Sequence, residues 1–255
     1  QIPLRSTLQA VFKNEFEKPA RRFRQQIATF LSSNGYHEMV TLSLDHSKHY
    51  SQCSDEQKSN LVYLENPISS ELDVMRSTLL YSSLNVAAHN IHHKNSNLKL
   101  FEFGKIYTKQ NTSDSTPQNN YPYFESQRLG ILISGNINEE NWYESPEKAD
   151  FFVINGICQS ILKQLRVSFI PVMKADWNDH DFDEAFVAHT AGNKQKILFT
   201  CGRASKKTLK QFDIKQDVWY AEINWDVTVN NIRNAYPEFK DIPKYPLVQR
   251  DLALL

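Results

Sequence analysis

Residues 66–107 read NPISSELDVMRSTLLYSSLNVAAHNIHHKNSNLKLFEFGKIY, and the fold class turns on how this stretch divides. Asn66-Pro67 is a turn signal, because proline disfavours helix in the residue before it. From about Ser77 to Lys94 the apolar residues Leu80, Leu84, Ala87 and Ile91 recur at helical spacing. Ser70 and Glu71, just upstream, read as cap residues for that helix. Leu98 to Tyr107 alternates as a strand does and is expected to break or bend at Gly104.

Upstream, Pro19 to Asn34 predicts a helix, with proline at its first position and Asn34-Gly35 as its stop. Ala20, Phe23, Ile27, Phe30 and Leu31 form its apolar stripe, with Arg21, Arg22, Arg24, Gln25 and Gln26 around it. Met39 to Leu44 predicts a strand with Val40, Leu42 and Leu44 on one face. A polar stretch, Asp45 to Asn60, separates it from a short strand at Leu61–Leu64. Downstream, 108–125 reads as loop, Leu129 to Ser134 as a buried strand, and Ala149 to Leu165 as a helix with Phe151, Ile154, Cys158, Ile161 and Leu165 on one side. Strands near 167–172, 185–190, 196–201 and 218–223 and short helices near 205–212 and 226–234 complete the pattern. Tyr236-Pro237 and Ile242-Pro243 mark a linker, and 245–255 begins a further unit. Strands outnumber helices and no βαβ rhythm is visible. The expected class is α+β, a mainly antiparallel sheet flanked by helices.

Composition narrows the function. Lys+Arg and Asp+Glu are equal at 29 each in 255 residues, so a whole-chain electrostatic grip on nucleic acid is not expected. The seven glycines fall in no dinucleotide fingerprint and no phosphate loop. Cys53, Cys158 and Cys201 are far apart and odd in number, against a disulfide framework or a cysteine zinc site, and a reducing compartment is expected. No apolar run reaches the ~18 residues of a membrane span. His89 and His93 lie one helical turn apart, but Asn90 stands where a zinc-protease helix carries glutamate, and a polar helix face is the favoured reading over a metal site. DWNDHDFDE at 176–184 holds five acids but no glycine, so a solvated acidic loop is expected rather than a calcium loop. No catalytic triad can be assigned from sequence position alone.

The ordered motifs are more specific. Residues 66–107 resemble the beta subunit of bacterial phenylalanyl-tRNA synthetase, with Asn66, Pro67, Met75, Arg76, Leu79, Leu80, Asn90, Leu100, Phe101, Glu102 and Gly104 matching that family's pattern. Residues 149–165 resemble its Asp-Phe-Phe-x-x-Lys-Gly helix, with Asn155 in place of the lysine. Residues 246–255 resemble the opening of its ferredoxin-like anticodon-binding domain. At 186–193, FVAHTAGN departs from a His-Pro-Gly-Arg-Ser-Ala-like stretch, with only His189 and Gly192 in common.

The resemblance implies a class II synthetase-like core that does not catalyse, so no catalytic and no metal residue is expected here. ATP and Mg²⁺ would serve the whole enzyme, through the alpha subunit, and neither is expected in this segment. The implied partners are the alpha subunit, a second beta subunit in an (αβ)2 assembly, and tRNA-Phe through the whole enzyme; no membrane is involved and the setting is cytoplasmic. The implied layout is a connector at 1–18, the core at 19–240, and at 241–255 a linker with the first strand of the anticodon-binding domain. Helix 19–34 with strand 39–44 corresponds to the class II interface pair, which places Arg22, Phe23, Gln26, Ile27 and Phe30 at or near a subunit contact. Past residue 128 only Arg166, Arg203, Arg233 and Arg250 remain, a thin supply for binding phosphates. Arg76 is expected to pair with Glu71 or Asp73 and anchor the turn into its helix. Two other readings stay open: a free-standing ATP-dependent class II-like ligase, marked by converging arginines in a pocket, and an RNA-binding module, marked by a basic face with exposed aromatics.

Overall fold

Two hydrophobic cores, one on each face of a seven-stranded sheet, organise the chain. The computed structural model describes residues 19–67, 69, 71–109, 123–138, 141–143, 145–173, 180–191 and 195–232. The expected connector at 1–18, the linker and strand at 241–255, Ser70, Gly192 and most of the acidic stretch lie outside the described residues.

Helix α1 spans Pro19–Ser33, followed by strands β1 (His37–Glu38) and β2 (Leu44–Asp45), a 3-10 turn (Ser47–Tyr50), α2 (Asp55–Ser59), β3 (Val62–Tyr63) and β4 (Val74–Met75). Then come α3 (Leu80–His92), β5 (Leu98–Lys109), β6 (Tyr123–Ser134), α4 (Phe151–Gln164), β7 (Phe169–Met173), β8 (Phe182–Thr190), β9 (Ile197–Ala204), α5 (Lys206–Gln211), β10 (Val218–Asn224) and α6 (Trp225–Asn230). The large sheet runs β1-β5-β6-β10-β9-β8-β7 and is antiparallel apart from the β1–β5 pair at one edge. A small antiparallel sheet, β2-β4-β3, sits apart from it. The mainly antiparallel α+β class expected from the sequence is the one observed.

Period-two alternation decides which core each residue joins. Leu129, Ile131 and Ile133 of β6 pack with Ile27 and Leu31 of α1 and with Ile154, Cys158 and Ile161 of α4. Leu132 points the other way, into the core of Leu80 and Leu84 of α3 and Leu209 of α5. Local signals start and stop the helices. Asp150, Ser205 and Asn224 cap α4, α5 and α6, each side chain accepting a hydrogen bond from the backbone three residues on. Gly35, at φ +80°, ends α1 in the left-handed conformation that glycine tolerates.

Several sequence expectations are corrected. Met39–Leu44 is not a strand. The Met39 N–H still bonds the Phe101 carbonyl, but the Thr41 N–H turns to the Glu102 side chain, and the chain leaves the sheet with Val40 91% and Leu42 66% exposed. Strand β5 runs unbroken through Gly104, and the strand taken to start at Leu129 begins at Tyr123. The polar stretch 45–60 is partly helical, α2 being capped by a reciprocal Ser54–Gln57 box. Of the acidic stretch, Asp181 is buried and Phe182–Glu184 begin β8. The three cysteines are free and buried, and burial pushes the Cys201 thiol up to about 12.

Gly202 in β9 is matched with Ala185 and Tyr220 across the sheet, and a Cβ there would strike the Glu184 carbonyl oxygen. Gly202→Ala should therefore cost about 2–3 kcal/mol, read as a lowered urea midpoint at unchanged slope, because backbone rather than a mobile side chain has to yield.

Candidate functional site

The register of the sheet lines up two carboxylates on the α3 face. Glu102 of β5 and Glu222 of β10 both lie opposite Gly130 of β6, so they flank one residue that has no side chain. Above them runs the segment Arg76 to Leu79, held at each of its four positions. Arg76 donates from Nη1 to Glu102 Oε1 at 3.1 Å and to Thr41 Oγ1 at 2.6 Å, and from Nε to the Lys105 carbonyl at 2.9 Å. Thr41 Oγ1 in turn donates to Glu102 Oε2 at 2.7 Å. The Ser77 N–H donates to the Tyr50 hydroxyl. Thr78 Oγ1 and the Leu79 N–H both donate to Glu222 Oε2, at 2.8 and 3.0 Å, and the Tyr220 hydroxyl adds a third donor at 3.1 Å. Burial, then the Glu222 charge, pushes the Tyr220 hydroxyl well above its usual range, so it stays a donor.

Two glycines make room for this clamp. A Cβ at Gly104 would collide with the Arg76 guanidinium, and one at Gly130 would press on the Tyr220 hydroxyl and Leu79. Arg76 thus pairs with Glu102, not with Glu71 or Asp73 as expected. Asp73 instead accepts from the Ser47 N–H, and its carboxyl sits below the usual range because that bond and His46 outweigh the cost of burial. Glu71 does not cap α3 either. The helix starts at Leu80 with no side-chain cap at Leu79, and its first N–H is met by Thr78 Oγ1.

The remaining motif residues have plain roles. Leu79 and Phe101 are fully buried, in opposite cores. Asn90 closes the C-terminal end of α3, its carbonyl accepting from the His93 and Asn95 N–H groups. Asn66 and Pro67 are exposed. His89 and His93 stack at 4.3 Å, His93 Nδ1 lies 2.7 Å from the His89 carbonyl, and His92 lies 3.5 Å from Asp213. Among the described residues no group of three or more His, Cys, Asp or Glu side chains is placed to hold a metal ion.

On α1, Arg22 and Gln26 are exposed and Phe23 and Phe30 half-buried, whereas Ile27 is wholly inside the chain's own core. Arg24 lies 5.1 Å over the Phe103 ring and 3.8 Å from Glu38. Sequence reasoning missed Thr41, Thr78 and Glu222. Their hydroxyls and carboxylate belong to three segments that only the finished sheet brings together.

A mainly antiparallel sheet with helices on both sides is the fold of class II aminoacyl-tRNA synthetases. Two structures of pyrrolysyl-tRNA synthetase from Desulfitobacterium hafniense share it, each with a TM-score of 0.60, at 11% and 12% identity over 82% and 85% of this chain and 65% and 74% of theirs. The phenylalanyl tRNA synthetase beta chain CLM domain family matches residues 5–225, and the chain belongs to that family. Phenylalanine–tRNA ligase beta subunits are similar along the chain. The protein from Bacteroides fragilis is 32% identical over 100% of this chain and 31% of its own length, and that from Thermotoga maritima 28% identical over 91% and 28%. The chain therefore spans about a third of the length of such relatives.

The Arg76–Glu102 pair, each side chain 3% exposed, supplies a test. Removing one partner of a buried pair strands the other's charge, so Glu102→Gln should cost about 3–5 kcal/mol by urea unfolding. The double variant Arg76→Met/Glu102→Gln should cost clearly less than the sum of the two single variants, and strict additivity would dissolve the pair.

Proposed function

We propose that the chain is the non-catalytic, synthetase-like core of a phenylalanine–tRNA ligase beta subunit. In this reading it works in the cytoplasm and supports an (αβ)2 assembly whose alpha subunits use ATP and Mg²⁺ to aminoacylate tRNA-Phe. The layout of connector, core and anticodon-binding strand belongs to the same reading. Among the described residues no helix is long and apolar enough to cross a membrane.

The observation that carries the reading is how two of the sheet's carboxylates and the Arg76 guanidinium above them are spent. Glu102, Glu222 and Arg76 are all taken up in holding the 76–79 segment, so neither carboxylate is a pair of open oxygens for Mg²⁺ and the guanidinium is closed to a phosphate. These three residues are therefore not placed to hold Mg²⁺–ATP. The surface supports association instead. Beyond α1 the exposed Val40 and Leu42 form an apolar strip, and α1 itself turns Arg21, Arg22, Gln25 and Gln26 outward.

Two measurements test this. The chain alone should give no phenylalanine-dependent pyrophosphate exchange, and any exchange above background would favour a free-standing ligase. In the complete beta subunit, Arg22→Ala/Phe30→Ala and, separately, Val40→Asp/Leu42→Asp should weaken tetramer assembly by about tenfold or more while the beta fold melts normally. Unchanged sedimentation at low micromolar concentration in both would return this surface to plain solvent-facing structure.

A further inference from the structure

On the α3 face a cleft of about 610 Å³ opens beside the 76–79 clamp. Clefts of this size take small molecules. Ile106, Phe182 and Val227 give it an apolar lining. Its charged groups are unevenly satisfied. Glu222 Oε2 receives three hydrogen bonds, and buried Asp181 accepts from the Tyr81 hydroxyl at 3.0 Å and from Thr208 Oγ1 at 3.2 Å. The cations are less well met. The Arg128 side chain is 22% exposed and its Nε makes no hydrogen bond among the described residues. Its Nε is closed to solvent, and the 3.9 Å contact to Glu222 Oε1 is too long for a hydrogen bond. Lys196, which is exposed, also lines the cleft. A partly buried guanidinium whose ion pair with Glu222 is too long for a hydrogen bond keeps donors open for a charge-assisted pair.

We propose that this cleft binds a small organic anion, a carboxylate or phosphate group carried on a compact apolar body. Arg128 grips the charged group, Lys196 adds a second positive charge from the exposed side, and Ile106, Phe182 and Val227 pack on the body. It suits one anionic group rather than a polyphosphate, because Arg128 and Lys196 share the lining with the carboxylates of Glu222 and Asp181.

The test is calorimetric or NMR titration of the 255-residue chain with benzoate, phenyl phosphate, benzyl alcohol and inorganic phosphate. At least one of the two aromatic anions should bind, the tighter identifying the head group. Benzyl alcohol and inorganic phosphate should each bind about tenfold more weakly or worse. Arg128→Gln should weaken binding of the aromatic anion by about tenfold, and Lys196→Gln, at an exposed site that leaves the fold alone, by about threefold. Added salt should weaken it too. Benzyl alcohol binding as tightly as the anions, affinity untouched by Lys196→Gln and by salt, or no binding of either aromatic anion up to about 10 mM would overturn the proposal.

Discussion

The buried pair of Arg76 and Glu102 is the constraint from which most of the α3 face follows. A guanidinium withdrawn from water needs its donors met, and here a carboxylate, a threonine hydroxyl and a backbone carbonyl meet them. Satisfying Arg76 locates β5 beneath it, draws Thr41 out of the strand ladder and requires glycine at 104. Two and three residues on, Thr78 and Leu79 repeat the arrangement over Glu222. The start of α3 is thus tied to two strands that are not neighbours, with β6 between them.

This placement explains the absence of ordinary capping at α3. The helix is started by tertiary contacts, because the segment before it is already held at every residue. The two cores then divide the labour. Helices α1 and α4 complete one side of the sheet with aliphatic side chains, whereas the α3 side mixes aliphatics with tyrosines whose hydroxyls all find acceptors or donors. Polar groups on the α3 side are therefore mostly consumed internally, and Arg128 stands out against that background.

Much of this was legible in the residues, for reasons that differ by element. Helices α1, α3 and α4 announce themselves because their apolar positions recur at 3.6-residue spacing with proline, asparagine-glycine or aspartate at the ends. Strand β6 was legible only where both faces are buried; its polar first half, from Tyr123, is held by pairing with β5, which no local pattern reveals. Helix α2 carried a readable Ser54–Gln57 signature inside a stretch that looked merely polar. Val40 and Leu42 misled because alternation normally means a buried face, and here the ladder is interrupted by a side chain from another strand. Of the site, Arg76, Glu102 and Gly104 could be named from their motif. Their pairing could not, since Glu71 and Asp73 are nearer in sequence than the partner that the sheet provides.

The order β1-β5-β6-β10-β9-β8-β7 places the last of the described strands along the chain in the middle of the sheet. As a ribosome extends the polypeptide, β5 with β6 and β7 to β9 can pair as two separate meanders, each local in sequence. Until residues 218–224 emerge, both meanders carry an open edge, β6 on one and β9 on the other. Open hydrophobic edges are where nascent chains pair wrongly. Insertion of β10 closes both at once and carries Glu222 under Thr78, so sheet closure and the locking of α3 are one late, long-range event. Closure of this sheet accordingly waits on a single seven-residue strand, whose pairings are long-range in sequence.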